Sequence, residues 1–150
     1  MRFEPTYGSL FERLLANSVE SDRYSYGGVC CWEWTGRLKS AYPYISMRVP
    51  GKKNPQGFRA HRVMANLVVG RPLHSIEETI DHACLIPWCI NWAHFCVATI
   101  GENSTDRHRR DAGKPRLDLK PLVDPKLYLI DPLVRELPRL RASASQECPF

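Results

Sequence analysis

The sequence predicts a small mixed α+β domain of antiparallel β-hairpins and short helices, followed by a proline-rich C-terminal arm. Three observations carry that expectation. Residues 42–61 read as strand, turn and returning strand. Two stretches have helical apolar spacing with start or stop signals. A Cys- and His-rich loop separates two short strand-like runs, and a helix signature follows directly behind it. The domain is expected over residues 1–113 and the arm over 114–150.

Taken in order, Ser9-Leu10-Phe11-Glu12 is a capping-box pattern, and Phe11, Leu14 and Leu15 share one face, so a helix is expected over 9–19. Ser21 to Gly28 reads as a polar loop, and Cys31-Trp32-Glu33-Trp34 begins the β region. Tyr42 to Val49 alternates, residues 50–57 supply turn chemistry, and Phe58-Arg59-Ala60 returns. Residues 60–69 fit a helix with Val63, Met64 and Leu67 inward and Gly70 as its stop. Ile80–Cys84 and Phe95–Ala98 are brief strands. Thr99-Ile100-Gly101-Glu102 is a second capping box, opening a helix to about Asp111. Six of the twelve prolines fall in residues 114–150, which leaves room for one short helix near Leu133–Leu140.

The formal net charge is +5 and the pI about 9.0. Its distribution is uneven. From Trp34 to Ile76 there is no Asp or Glu, and eight basic residues stand there: Arg37, Lys39, Arg48, Lys52, Lys53, Arg59, Arg62 and Arg71. Arg107, Arg109, Arg110, Lys114 and Arg116 form a second cluster. Such stretches favour contact with a phosphate backbone. No apolar run is long enough for a membrane span, and the N-terminal residues have no apolar leader core, so neither a membrane nor a secretory route is expected.

Six cysteines without a secretory signal point to metal chemistry rather than disulfides. Cys84, Cys89 and His94 are spaced C-x4-C-x4-H. Zinc takes four such ligands in a tetrahedron, so a fourth is expected from elsewhere in the chain. Cys31 is the candidate, with its neighbour Cys30 the alternative. One structural Zn2+ per chain would give this loop folding energy that packing alone does not supply.

His82 stands two residues before the first local ligand, and Asn103 lies in the first turns of the following helix. A strand, a pinned loop, a strand and a helix would bring the two face to face. An imidazole takes a proton from water near neutral pH, and an amide oxygen ligates a hard cation such as Mg2+. Together they compose a minimal phosphodiester-cleaving site.

The run His82-x-Cys84-x4-Cys89-x4-His94-x8-Asn103 resembles the His-Cys box homing endonucleases, within the wider HNH or His-Me finger (ββα-metal) nucleases. Cys31-Trp32-Glu33-Trp34-Thr35-Gly36, Ala60-His61-Arg62 and Glu102-Asn103 are similar to phage and bacterial HNH proteins with this zinc region. The resemblance spans roughly residues 30–110. It implies a ββα-metal motif over about residues 79–112, with His82 as general base. It also implies Asn103 as ligand of one catalytic Mg2+, for which Mn2+ substitutes, and Cys31, Cys84, Cys89 and His94 as the structural zinc set. Asn91 would brace the zinc loop. Asp81 would be a second Mg2+ ligand or a strand-end group orienting its neighbours. Trp92 stands where a proline is common. An arginine on the scissile phosphate is expected, with Arg59 and Arg62 competing for it.

The implied activity is Mg2+-dependent hydrolysis of double-stranded DNA by a homing or phage-type enzyme, with no organic cofactor. It would act in the cytoplasm of a bacterial or phage-infected cell, or in a eukaryotic nucleus or organelle. The alternative is an inactive zinc-stabilised DNA- or RNA-binding module. Two-stranded ribbons fit the major groove, so Arg48, Lys52, Lys53, Asn54, Gln56 and Arg59 on the 42–61 hairpin are expected to read or grip DNA, along with Arg37, Lys39 and Arg62. Arg107, Arg109 and Arg110 would hold the backbone near the scissile bond. Leu127, Leu129, Leu133, Leu137 and Leu140 in the arm need an apolar partner, either the chain's own core or a second copy in a homodimer.

Overall fold

The structure is a computed structural model and describes residues 7–138. It is a mixed α+β fold with three small antiparallel sheets among the described residues. Helix α1, Tyr7–Ala16, buries Leu10, Phe11 and Leu14. It stops before residue 19 because Asn17 closes it, its Nδ2 donating to the Arg13 carbonyl at 2.8 Å. Strand β1, Ser18–Tyr26, then replaces the loop expected at 21–28. Only Ser21 among its nine residues is buried, so no apolar alternation marks the strand. Pairing with β2, Val29–Trp34, makes it one. Gly27 and Gly28, with φ of 59° and 79°, form the two-residue turn between them. The Ser21 hydroxyl accepts from the N–H groups of Arg23 and Tyr24 where the register shifts.

The second sheet joins β3 (Leu38–Lys39), β4 (Tyr42–Met47) and β5 (Gln56–Arg59). Strand β4 ends two residues earlier than expected. Pro43, Ile45 and Met47 point inward; Tyr44 shares the outer face with Gly57 and Arg59. A Cβ at Gly57 would collide with the Tyr44 hydroxyl, so glycine is what lets that ring lie across β5. Helix α2, Ala60–Val69, follows without a linker and buries eight of its ten residues, which makes it the centre of the core. Gly70, at φ 81°, ends it and donates to the Asn66 carbonyl.

The third sheet carries the candidate site. Strands β6 (Thr79–His82) and β7 (Phe95–Ala98) pair antiparallel, from Thr79 opposite Ala98 to His82 opposite Phe95. Helix α3, Ile100–Asp111, leaves β7 through the capping box at Thr99 and Glu102, with both of its hydrogen bonds made. Strand β8, Lys120–Pro121, pairs with the other edge of β7. Two short helices follow, α4 (Pro125–Ile130) and α5 (Pro132–Arg135); α5 overlaps the start of the helix expected near 133–140, and α4 was not expected. Each begins with an Asp cap followed by proline. Leu127, Leu129 and Leu133 are exposed, while Tyr128 is buried. Leu140 and Cys148 lie outside the described residues.

Trp92 joins these parts. It is 1% exposed, and its ring meets those of Phe11 on α1, Trp32 on β2 and Tyr128 on α4 at 6.1, 5.2 and 5.6 Å. No helix among the described residues is long and apolar enough to cross a membrane.

The two-residue turn between β3 and β4 carries positive φ at both Ser40 (52°) and Ala41 (65°), a conformation glycine takes without strain. Ala41→Gly is expected to stabilise the fold by about 0.5–1 kcal/mol. A melting temperature that stays level or falls would count against strain in this turn.

Candidate metal centre and adjoining cleft

Alternation along β2 decides between the two adjacent cysteines. Cys31 is fully buried, whereas Cys30 faces solvent. The loop between β6 and β7 is laid against β2 by backbone bonds: Trp34 N–H donates to the Trp88 carbonyl, and Ile90 N–H to the Trp32 carbonyl. Asn91, fully buried, donates from Nδ2 to the Cys30 carbonyl at 2.9 Å and accepts the Ala93 N–H at 3.0 Å. It therefore braces the loop and caps the 3₁₀ turn Trp92–His94.

The result is a Cys3His cluster. The donor atoms of Cys31, Cys84, Cys89 and His94 all lie within 4.8 Å of one another. Sγ of Cys31 and Sγ of Cys89 each lie 3.5 Å from His94 Nδ1. A tetrahedral zinc with Zn–S of about 2.3 Å and Zn–N of about 2.0 Å puts sulfur and nitrogen about 3.5 Å apart. His94 Nε2 donates to the Val29 carbonyl at 3.0 Å, which leaves the Nδ1 lone pair turned toward the sulfurs. The electrostatics agree. A hydrogen bond from Cys89 holds the Cys84 thiol down at about 4, and Cys31 is lowered by the same donor. Burial opposes charge on His94, but the facing sulfurs of Cys84 and Cys31 outweigh it and raise its pKa. Cys89, which donates to both Cys84 and Cys31, is pushed the other way by those bonds and by burial. A dication in place of that proton would take three thiolates and a neutral imidazole, so these four residues can hold zinc. Cys96 stands apart on β7, where burial pushes its thiol up to about 11.

The same loop positions His82. Its Nε2 donates to the carbonyl of the ligand Cys89 at 3.0 Å. Nδ1 makes no hydrogen bond among the described residues and carries the lone pair. The ring is 5% exposed, and burial lowers its pKa. His82 lines a cleft of about 320 Å³ with Tyr42, Asp81 and Leu85, and Asn103, Arg107 and Arg110 of α3 line it too. The Asn103 carboxamide, half-buried, makes no hydrogen bond to the described residues. His61, at the start of α2, packs on His82 with ring centroids 5.0 Å apart, and burial drives its pKa well down.

Asp81 is differently engaged. Its Oδ2 pairs with the Arg116 guanidinium, which also meets Asp106 at 3.0 Å and the carbonyls of His82 and Ala83. Asp106 is fully buried and also accepts from Leu117 N–H and pairs with Arg110 at 3.2 Å. Burial opposes its charge, but the Leu117 N–H and Arg116 hold its pKa below the usual carboxylate value. Sequence reasoning missed this clamp. The pairs are 10 and 35 positions apart and follow no period. An acid at an otherwise polar helix position was the only available signal.

The basic residues divide by their partners. Arg62 is taken out of the DNA-facing set, because its two terminal nitrogens donate to the Leu73 and Glu78 carbonyls at 2.7 and 3.0 Å. Arg59 is exposed; its Nη1 donates to the Lys39 carbonyl at 3.2 Å, and its Cζ lies 4.7 Å from the ring centroid of Tyr42, which lines the cleft. Arg37 and Lys39 lie against Tyr44. Arg48, Lys52, Lys53 and Asn54 are exposed, and Gln56 donates to the Asn54 carbonyl. Arg109 donates to the Pro115 carbonyl, while Arg107 is exposed at the cleft.

No protein-family model matches the chain, and no solved structure matches it. Over 77 residues it is 35% identical to Protein 2.8 of Escherichia phage T7, an alignment covering 51% of this chain and 48% of that protein. The chain thus spans about half the length of the curated relative it matches.

Two outcomes follow from this geometry. Cys31→Ser is expected to lose bound zinc and most of its cooperative melting, while Cys30→Ser keeps one zinc per chain by elemental analysis; the reverse pattern would reassign the ligand. Arg116→Ala is expected to destabilise the fold by about 2–3 kcal/mol in chemical denaturation, because Asp106 stays buried and keeps only the Leu117 N–H and Arg110 as partners.

Proposed function

We propose that this chain is a metal-dependent DNA endonuclease of the His-Me finger type. The observation that carries the reading is the orientation of His82. The Cys89 carbonyl takes its Nε2–H, so the basic Nδ1 is left free on a residue that lines the same cleft as Asn103. The hairpin β6–β7 followed by α3 is the ββα order that the sequence resemblance implies. The similarity to a phage protein is in keeping with a phage-type enzyme.

His82 takes a proton from water at Nδ1 while Nε2–H stays on the Cys89 carbonyl, a bond that strengthens as the ring becomes charged. Asn103, with an unengaged amide oxygen on the cleft, suits a hard cation that keeps most of its own waters. Mg2+ held there would polarise the scissile phosphate and offset charge on the departing 3′ oxygen. We assign Asp81 to orientation rather than ligation, since Arg116 already takes its Oδ2. Arg107 at the cleft and Arg59 beside Tyr42 hold phosphate oxygens. Arg37, Lys39, Arg48, Lys52 and Lys53 grip duplex DNA from the β3–β5 sheet and its turn. One such site cuts one strand, so a double-strand cut calls for two copies of the chain.

Supercoiled plasmid with Mg2+ tests the reading. Wild-type protein is expected to nick or linearise it. His82→Ala and Asn103→Ala are expected to bind DNA but cut at least about 100-fold more slowly. Plasmid bound yet left intact by wild type would replace the enzyme with a zinc-stabilised binding module.

A further inference from the structure

Arg116 belongs to the segment expected to be an arm, yet its guanidinium is built into the framework of the cleft. Nη1 donates to the carbonyls of His82 and Ala83 at 3.3 and 3.2 Å. Nη2 pairs with Asp81 and, at 3.0 Å, with Asp106, which Nε also meets at 3.1 Å. Asp106 stands on α3 one helical turn beyond Asn103. One side chain therefore ties the end of β6, where His82 stands, to the helix that carries Asn103. It is also held in place. Moving it off Asp81 would strip its bonds from Asp106, which is 0% exposed and has no water to replace them.

The charge balance of the cleft depends on this side chain. Asp81 is the one carboxylate among the described lining residues, and Arg116 neutralises it. Arg107 and Arg110 line the same cleft; Arg110 is paired with Asp106, and Arg107 is exposed. What is left for a divalent cation is the neutral carboxamide of Asn103, with the charge of Arg107 nearby. Mg2+ gives up water reluctantly and is usually held by carboxylates together with substrate phosphates. One carboxamide beside an arginine does not replace that water. Phosphate oxygens would bring the missing negative charge and engage Arg107 as well.

We infer that Arg116 is a positioning residue that withholds Asp81 from metal, so that a divalent cation enters this cleft with DNA and not before it. The part played by DNA rests on the endonuclease reading above; the withholding of Asp81 does not.

The test is Mn2+ binding to zinc-loaded protein, read by electron paramagnetic resonance, with thermal melting followed in parallel. Free wild type is expected to bind Mn2+ no tighter than about 1 mM. A short duplex added to the non-cutting His82→Ala protein is expected to tighten it at least about tenfold, after subtraction of Mn2+ held by duplex alone. No tightening overturns entry with DNA. Arg116→Gln is expected to melt lower and, without DNA, to bind Mn2+ at least about tenfold tighter than wild type, because Asp81 is released. Arg116→Lys, with a cation still beside Asp81, and Arg116→Gln combined with Asp81→Asn should both return to the wild-type value. A role in stability alone lowers melting without tightening Mn2+, and that result overturns the inference. So does free wild type that binds Mn2+ as tightly as Arg116→Gln. Should Arg116→Gln not fold, Asp81→Asn decides. On the His82→Ala duplex complex it is expected to leave Mn2+ affinity within about threefold, and a loss of about tenfold or more makes Asp81 a ligand. Wild type that binds duplex but leaves plasmid uncut in Mg2+ removes the endonuclease, and the Mn2+ comparison on free protein still decides the role of Arg116.

Discussion

The contact between β2 and the loop after β6 is the constraint on which the rest of the molecule depends. It brings Cys31 to Cys84, Cys89 and His94, the last of them 63 positions away. The backbone bonds around it act on several structures at once. They place the Cys89 carbonyl that sets the His82 tautomer, the Asn91 side chain that caps the 3₁₀ turn, and Trp92 between α1, β2 and α4. The Cys3His cluster, core packing and the orientation of the His82 ring are therefore one arrangement. Zinc held by these four residues would add folding free energy to a small domain at the junction of β2 and the loop.

Electrostatics is partitioned in a way total charge conceals. Arg62, Arg109, Arg110 and Arg116 are engaged by carbonyls or buried carboxylates and serve the fold. Arg37, Lys39 and Arg59 are exposed but supported on Tyr44 and Tyr42, and Arg59 also donates to the Lys39 carbonyl, which limits their side-chain freedom. The cationic surface is smaller than the acid-free segment suggests, and it is better organised.

The parts legible in the sequence are those whose signal is local. The C-x4-C-x4-H spacing, the Thr99–Glu102 box and the stop at Gly70 each state their structure within a few residues, and the structure contains all three. Strand β1 was not legible because eight of its nine side chains escape full burial and its partner supplies the order. The Arg116 clamp joins positions that no period relates. Residues 114–138 read as a proline-broken arm because proline usually interrupts structure. Pro121 sits on an edge strand, and Pro125 and Pro132 stand at helix starts, places that tolerate proline. The repeated Asp-Pro pairs at 124–125 and 131–132 carried that signal.

The distance between Cys31 and His94, 63 positions, has a consequence during synthesis. The thiol of Cys31 leaves the ribosome well before its partners, and at ordinary elongation rates several seconds pass, on the order of 3–13 s, before residue 94 follows. Through that interval the β1–β2 ribbon has neither the other three residues of the Cys3His cluster nor Trp92 against it, and a lone two-stranded ribbon is barely stable in water. The nascent chain thus carries an unsheltered thiol and an unfinished core until one late segment arrives and closes both.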